Sequence, residues 1–308
     1  MSPTARANPD VPKAPKTAVR PVIVGTDFTK RADTAILRAA QIAQGIYSPL
    51  CLVHAYDVPT PGPVFPIPEP LIGQSTTLLE SAEADLALAR AGAQEKLAAV
   101  KLPKGVAADR EVRLGAPHEA LVAVAEEKNA AAIVVGVRTP KGIVERYLLG
   151  ATAERVLRLG HCPVLLARAR TTKPYERVLA AVDFSPVSMR VLWVVQELFP
   201  KAKIVLGTVV PKSGAKKLTL ERKREVEQSL AVLAQKCGLH PGVTEYAVAE
   251  GDPKHGILAL GIATNPHLLA VGTHARKGMA RFLLGSVAEY VARAAPVDVL
   301  AVPPAAEP

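Results

Sequence analysis

Val22-Ile-Val-Gly-Thr-Asp-Phe-Thr29 and Val178-Leu-Ala-Ala-Val-Asp-Phe-Ser185 carry one theme twice: a short aliphatic run closing on Asp-Phe and a hydroxyl residue, then a helical pattern. An aliphatic run with no polar alternation is the pattern of a strand buried on both faces, and such strands belong to parallel sheets covered by helices. In the second copy Ser185 is placed to cap the helix and Pro186 to fill its first turn. The correspondence continues outward. Leu50 to Ala55 and Ile204 to Val209 read as second strands. Gly115-Ala-Pro117 and Gly251-Asp-Pro253 each precede a helix, and each leads to a strand-ending glycine, Gly136 and Gly272, at the same spacing. Gly150-Ala-Thr-Ala-Glu154 and Gly285-Ser-Val-Ala-Glu289 then open the last helices, ahead of closing strands near Val164 to Ala167 and Val299 to Val302.

The order strand, helix, strand, helix, strand, helix, strand, helix, strand, written twice, predicts an α/β protein with two open five-stranded parallel sheets in tandem. Right-handed crossovers put helices on both faces of each. The expected organisation is a disordered tail over 1–19, a first domain over 20–168, a linker over 169–174 and a second domain over 175–303. Residues 57–73 of the first copy hold Pro59, Pro61, Pro63, Pro66, Pro68 and Pro70, which predicts an extended surface loop there.

Length and composition agree with two domains of this kind. The chain has 308 residues, is 49% hydrophobic and only 4% aromatic, so its apolar content is the Ala, Val, Leu and Ile of buried sheets and covering helices. No stretch reaches the roughly 18 apolar residues of a membrane span, and the N-terminus with Pro3, Pro9, Pro12 and Pro15 lacks the apolar core of a signal peptide, so a cytoplasmic protein is expected. Cys51, Cys162 and Cys237 are widely spaced and read as small buried hydrophobes. The net charge of +10 raises an anionic partner: nucleotide, nucleic acid or acidic lipid headgroup. Much of it sits in the tail (Arg6, Lys13, Lys16, Arg20) and around Lys212, Lys216, Lys217, Arg222, Lys223 and Arg224. There the stripe Val226, Leu230, Leu233 and Cys237 marks a solvated helix face. With so few aromatics no stacking platform for single-stranded nucleic acid is evident.

In open parallel sheets, ligands bind beyond the carboxyl ends of the strands where the strand order reverses. The loops that meet there hold what the copies share: Asp27 or Asp183, and Gly136 or Gly272 onward. In the second copy Gly272 and Gly278 let backbone amides approach a ligand, Arg276 and Lys277 bring positive charge, and Gly285-Ser286 opens a helix whose free N–H groups favour an anion. His274 lies in the same loop as a further donor. A glycine-rich turn before a helix is also ordinary connection chemistry, so these features alone leave a phosphate site and a plain turn both open. The other histidines form no HxxxH or HxH pair, Ser185 and Ser188 have no GxSxG context, and GxxxxGK[ST] and GxGxxG are absent.

At these residues the chain resembles the universal stress proteins, in a tandem form, over Arg20 to Arg168 and Tyr175 to Val302. Nucleotide-binding members carry G-x2-G-x9-G-[ST] after the fourth strand. Here Gly272, Ala275, Gly285 and Ser286 match that pattern except for alanine in place of the second glycine. The resemblance implies that Ala181 and Asp183 face a nucleoside, that Val209 meets the adenine, and that Val271, Gly272, Ala275, Gly285, Ser286 and Val287 hold ribose and phosphates. ATP is the implied ligand, with Mg2+ as a candidate companion. In the first copy Gly136 is followed by Thr139, then by ten residues rather than nine to Gly150, and by Ala151 in place of the hydroxyl residue. Asp27 persists, so a pocket is expected there without a competent phosphate loop. The expected function is a cytosolic nucleotide-dependent regulatory or interaction module of the stress response. The last strands would pair the copies face to face as an internal pseudo-dimer, with a homodimer of chains above it. Two alternatives stay open: an interaction protein that binds no nucleotide and works through its surface, and a slow ATPase.

Overall fold

The computed structural model of the 308-residue chain describes residues 19–57, 75–138, 149–168, 173–212, 219–240, 244–273 and 284–305. The tail up to residue 18, residues 58–73 of the proline insertion and residues 169–172 of the linker lie outside the described residues.

The first copy runs β1 (Val22–Gly25), α1 (Lys30–Gly45), β2 (Leu50–Tyr56), α2 (Ser75–Ala98), β3 (Ala108–Leu114), α3 (Pro117–Glu127), β4 (Ala132–Gly136), α4 (Ala151–Leu159) and β5 (Val164–Ala167). The second repeats it as β6 (Arg177–Ala181), α5 (Pro186–Leu198), β7 (Lys203–Val210), α6 (Leu220–Lys236), β8 (Thr244–Glu250), α7 (Pro253–Thr264), β9 (Leu268–Gly272), α8 (Ser286–Ala294) and β10 (Asp298–Val302). Helix starts follow local chemistry. Ser185 caps α5 by accepting from the Ser188 amide, with Pro186 next; Asp252 does the same for α7 by accepting from His255; Thr219 caps α6. Along α6, Leu230, Leu233 and Cys237 are buried while Lys223 and Arg224 stay exposed, the solvated face that the charge pattern implied.

Within each copy the strands are parallel and ordered β3-β2-β1-β4-β5 and β8-β7-β6-β9-β10. The last strands do join the copies, but edge to edge rather than face to face. β5 and β10 pair antiparallel, Val299 with Leu166, Leu300 with Leu165 and Ala301 with Val164, so the two five-stranded sheets become one ten-stranded sheet. The physical reason is that an edge strand carries a free row of N–H and C=O groups, and pairing two such edges removes both. An apolar layer covers each face and crosses the seam: Leu52, Leu165, Leu192, Leu206 and Leu300 on one side, Ile133, Val156, Leu166, Val291 and Val299 on the other.

A polar knot locks this seam. Asp298, fully buried at the start of β10, accepts from Arg38 Nε of α1 at 2.8 Å and from the Tyr175 hydroxyl at 2.6 Å on one oxygen. Its other oxygen accepts from the Arg168 backbone N–H at 2.6 Å. Arg38, itself buried, also donates to Gln41 Oε1 and to the Lys173 carbonyl, and its guanidinium carbon lies 4.2 Å from the Tyr175 ring centroid. Such a pair is retained in an apolar interior only when its remaining hydrogen bonds are met, as they are here. On the opposite face α4 and α8 meet through Glu154, Arg158, Glu289 and Arg293. Each arginine bridges its own helix's glutamate and the other copy's, at 3.1 Å for Arg293 to Glu154 and 3.8 Å for Arg158 to Glu289. These groups are about one-third exposed, so they set register more than stability.

Asp298→Ala leaves a buried guanidinium and a buried phenol without their acceptor and is expected to cost about 3–5 kcal/mol in denaturant unfolding, with both halves losing stability together; an unchanged midpoint would refute the role of the knot. Burial, reinforced by the Asp298 carboxylate, raises the Tyr175 phenol well above its usual value. A raised folded-state value means that stability is fully present below the unfolded phenol's pH of about 10 and is lost as pH climbs toward the folded value. Tyr175→Phe is therefore expected to flatten the fall in melting temperature above about pH 10, measured against the wild type.

Candidate functional site

Parallel pairing places the residues singled out in the second copy along one edge. Ala181 ends β6 opposite Gly207 of β7, Val209 lies two residues further along β7, and Val271 and Gly272 end β9 beside Ala301 and Val302 of β10. Asp183 sits in the turn from β6 to α5, and Gly285, Ser286 and Val287 begin α8. The Gly285 amide donates to the Thr273 carbonyl at 2.6 Å, which draws the start of α8 to the end of β9. The first intrahelical bond of α8 is Glu289 N to Gly285 O, so the preceding amides have no intrahelical acceptor. His274, Ala275 and Arg276, with Lys277, lie outside the described residues.

The Asp183 carboxylate is aimed by its neighbours. Its Oδ1 accepts from the Ser185 amide at 3.1 Å and from the Ser188 hydroxyl at 2.6 Å, while the Asp183 amide donates back to the Ser188 oxygen at 2.9 Å. Ser188 is buried, so this reciprocal pair is sheltered from water and leaves Oδ2 as the outward acceptor. The next residue, Phe184, has φ of 62°, and Phe28 in the first copy has φ of 60°. A bulky residue in the left-handed region costs about 1 kcal/mol or more, and both copies accept that strain at the turn presenting the aspartate. Gly272 has no room for a side chain, because a Cβ there would meet Val187 Cγ1 at 2.6 Å.

The first copy builds the same corner with other groups. A cavity of about 350 Å3 opens at the carboxyl ends of β1, β2 and β4, lined by Thr26, Asp27, Arg31, His54, Gly136 and Thr152 among others. Gly136 is required there: a Cβ would lie 2.2 Å from the Arg31 carbonyl oxygen of α1. Gly150 is required for a different reason, its φ of 96°. Asp27 Oδ1 accepts from the Thr29 amide at 3.1 Å and from the Thr29 hydroxyl, Ala32 standing where the second copy has Ser188. His54 Nδ1 donates to the Thr26 carbonyl at 2.8 Å, just as Thr208 Oγ1 donates to the Val182 carbonyl at 2.8 Å in the second copy. With Nδ1 engaged on that carbonyl, Nε2 is the ring nitrogen left for a further hydrogen bond.

Sequence reasoning singled out Asp27 and Asp183, the glycines and the α8 start, but missed what orients them. Ser188 was weighed only as a nucleophile. Its spacing of five after Asp183, with a helix beginning between them, was the available signal. Arg31, His54 and Thr152 carried no motif. Among the described residues no group of three His, Cys, Asp or Glu side chains could hold a metal ion. No helix among the described residues is long and apolar enough to cross a membrane.

Fold and edge geometry define a tandem α/β protein in which each copy gathers an aspartate turn and a helix start at the carboxyl edge of its strands. The family model of the universal stress protein family matches residues 18–168 and again 174–303, and the chain belongs to that family. It is 29% identical over 300 residues to a universal stress protein of Mycobacterium tuberculosis, covering 91% of this chain and 95% of that one. It is 26% identical over 298 residues to one of Mycolicibacterium smegmatis, covering 92% and 97%. The crystal structure of a universal stress protein from Archaeoglobus fulgidus superposes with a TM-score of 0.63 at 18% identity, covering 93% of this chain and 99% of that one, which shows a shared fold.

Ser188→Ala removes the acceptor of a sheltered amide and one donor to the carboxylate, and is expected to destabilise the chain by about 1–3 kcal/mol in denaturant unfolding; a change below about 0.5 kcal/mol, the range of ordinary surface substitutions, would show that Asp183 does not depend on it.

Proposed function

We propose that the second copy binds ATP at the carboxyl edge of β6, β7 and β9, and that occupancy regulates how the tandem protein engages other molecules. The observation that carries this reading is the convergence on one edge of an aimed carboxylate, Asp183, and a helix start, Gly285-Ser286, tied to the end of β9 by the Gly285 amide. The Asp183 oxygen not held by Ser185 and Ser188 is suited to accept from a ribose hydroxyl or an adenine amine. The unpaired amides of α8, with the Ser286 hydroxyl and the helix dipole, suit phosphate oxygens. Val209, Val271, Gly272 and Val287 supply apolar walls and close backbone approach. His274, Ala275 and Arg276 enter this reading from sequence alone.

Regulation requires that ATP bind two arrangements of the protein with different affinity. The single sheet offers a route, because β9, which frames the site, pairs with β10, the strand that forms the seam with the first copy. Hydrolysis is not part of the reading. Asp183 already has one oxygen committed to its turn, and Asp252 uses its carboxylate to cap α7 and pair with His255 at 2.8 Å.

Calorimetric titration of the full chain is expected to give about one ATP per chain and no binding in Gly285→Leu, whose unfolding midpoint should stay near wild type. Two equivalent ATP sites, or none, would contradict the proposal. If a stress phenotype or a partner contact survives in Gly285→Leu, the nucleotide is incidental and the surface acts by itself.

A further inference from the structure

The ten-stranded sheet ends on β3 at one side and on β8 at the other, and among the described residues no strand pairs with the outer edge of either. Such an edge is a row of unpaired N–H and C=O groups, which proteins commonly blunt with charged side chains. The two edges differ in that respect. β3 reads Ala-Asp-Arg-Glu-Val-Arg-Leu, with charges at Asp109, Arg110, Glu111 and Arg113. β8 reads Thr-Glu-Tyr-Ala-Val-Ala-Glu, and its middle, Tyr246 to Ala249, carries none. Glu245 is held by Arg177 through two hydrogen bonds of 2.8 and 2.6 Å. Tyr246 and Val248 pack against the apolar layer on one face, Ala247 and Ala249 against the layer on the other, and all four are only partly buried. The core therefore runs out to this edge without a charged border. Strand geometry tells which backbone groups are free there. The Gly251 amide donates to the Val210 carbonyl of β7 at 2.9 Å. Backbone groups alternate sides along a strand, so Ala249 and Ala247 face β7, while Val248 and Tyr246 present their N–H and C=O to the open edge.

We propose that β8 is the docking surface for β8 of a second copy of this chain, antiparallel about a two-fold axis through Ala247, the central residue of the strand. In that register the edge-facing residues meet: Tyr246 lies opposite Val248 of the partner subunit, and Val248 opposite Tyr246 of the partner subunit. Each such pair exchanges two main-chain hydrogen bonds. An aromatic opposite a β-branched residue is also a favourable cross-strand pair, and the partly buried sides of both would be covered. Charge agrees with the register. Glu245 falls opposite Ala249 and Glu250 opposite Thr244, so no carboxylate meets another, and the residue that faces itself is a small alanine. Moving the axis to Val248 sets Glu250 against Tyr246 instead. The same operation about the central residue of β3 sets Glu111 against itself, which singles out β8 as the edge that accepts a copy. A two-fold contact of this kind uses one patch twice and closes, so it gives a dimer and no filament through β8. It also lies one strand from Val209, since β8 pairs along β7 up to that strand's end.

The test is sedimentation of the full chain as wild type, Ala247→Lys, Ala247→Glu and Val248→Pro, with no nucleotide added. The wild type is expected to dimerise. Ala247→Lys and Ala247→Glu each set like charges directly opposite across the axis, so either variant alone should weaken the dimer about tenfold or more. An equimolar mixture of the two sets opposite charges there and should restore it, which unfolded chains cannot do. Val248→Pro removes an edge-facing N–H, leaves the ladder to β7 whole and should also dissociate the dimer. A melting temperature for each variant separates lost pairing from lost folding. A wild type that stays monomeric up to about 100 µM would overturn the proposal. A dimer that survives in Val248→Pro and in both Ala247 variants would overturn it too, by placing the contact on another surface. Dissociation by Val248→Pro with no rescue in the mixture would overturn the register through Ala247.

Discussion

The buried carboxylate of Asp298 is the interaction on which the rest of the architecture leans. Two sheets with free edges could meet in several registers, since the seam itself is only three residue pairs long. Asp298 removes that freedom by demanding partners that only one register supplies: Arg38 from the first copy's helix, Tyr175 from the start of the second copy, and the Arg168 amide just beyond β5. Burial pulls the Arg168 guanidinium down to about 10, with Asp298 opposing that fall, so even the cation beside the seam is held in a poorly solvated place. Polar groups so placed gain little net stability over an apolar core, but they penalise every arrangement that leaves them unpaired.

Once the seam is fixed, the parallel order does the rest. Every crossover returns the chain to the same end of the sheet, so loops after β1 and β4, and after β6 and β9, must gather at the carboxyl edges. The two copies therefore inherit one corner and have filled it differently. The second keeps its aspartate aimed by Ser188 and its helix start supplied with Ser286. The first keeps its aspartate with Thr29 instead, moves the hydroxyl along to Thr152, and brings in Arg31 and His54. A shared strand pair between the copies gives any ligand-linked shift at one corner a mechanical path to the other.

Most of this fold was legible in the sequence, because it was written twice. The buried runs at Val22 and Val178, the Gly-x-Pro starts at 115 and 251 and the glycines at 136 and 272 each name an element and its place in the order. The seam was not legible in the same way. Pairing of the last strands followed from family resemblance, but its edge-to-edge geometry and the knot at Asp298 depend on residues 38, 168, 175 and 298, far apart in the chain and joined by no spacing rule. The sites were half legible. Asp183 and Gly285 stand in a recognisable pattern, whereas Ser188, Arg31 and Thr152 act only through where the backbone puts them. In the first copy the sequence leads to a pocket at Asp27 without a competent phosphate loop; the structure holds a cavity there, and Arg31, His54 and Thr152 in its lining belong to no pattern.

The most direct test is a crystal structure of the full chain grown with a non-hydrolysable ATP analogue. The triphosphate is expected at the start of α8, beside Gly272 and Ser286, with the nucleoside toward Asp183 and no triphosphate in the first copy's cavity. An analogue bound in the first cavity instead, or away from the carboxyl edge of β6 and β9, would contradict that expectation.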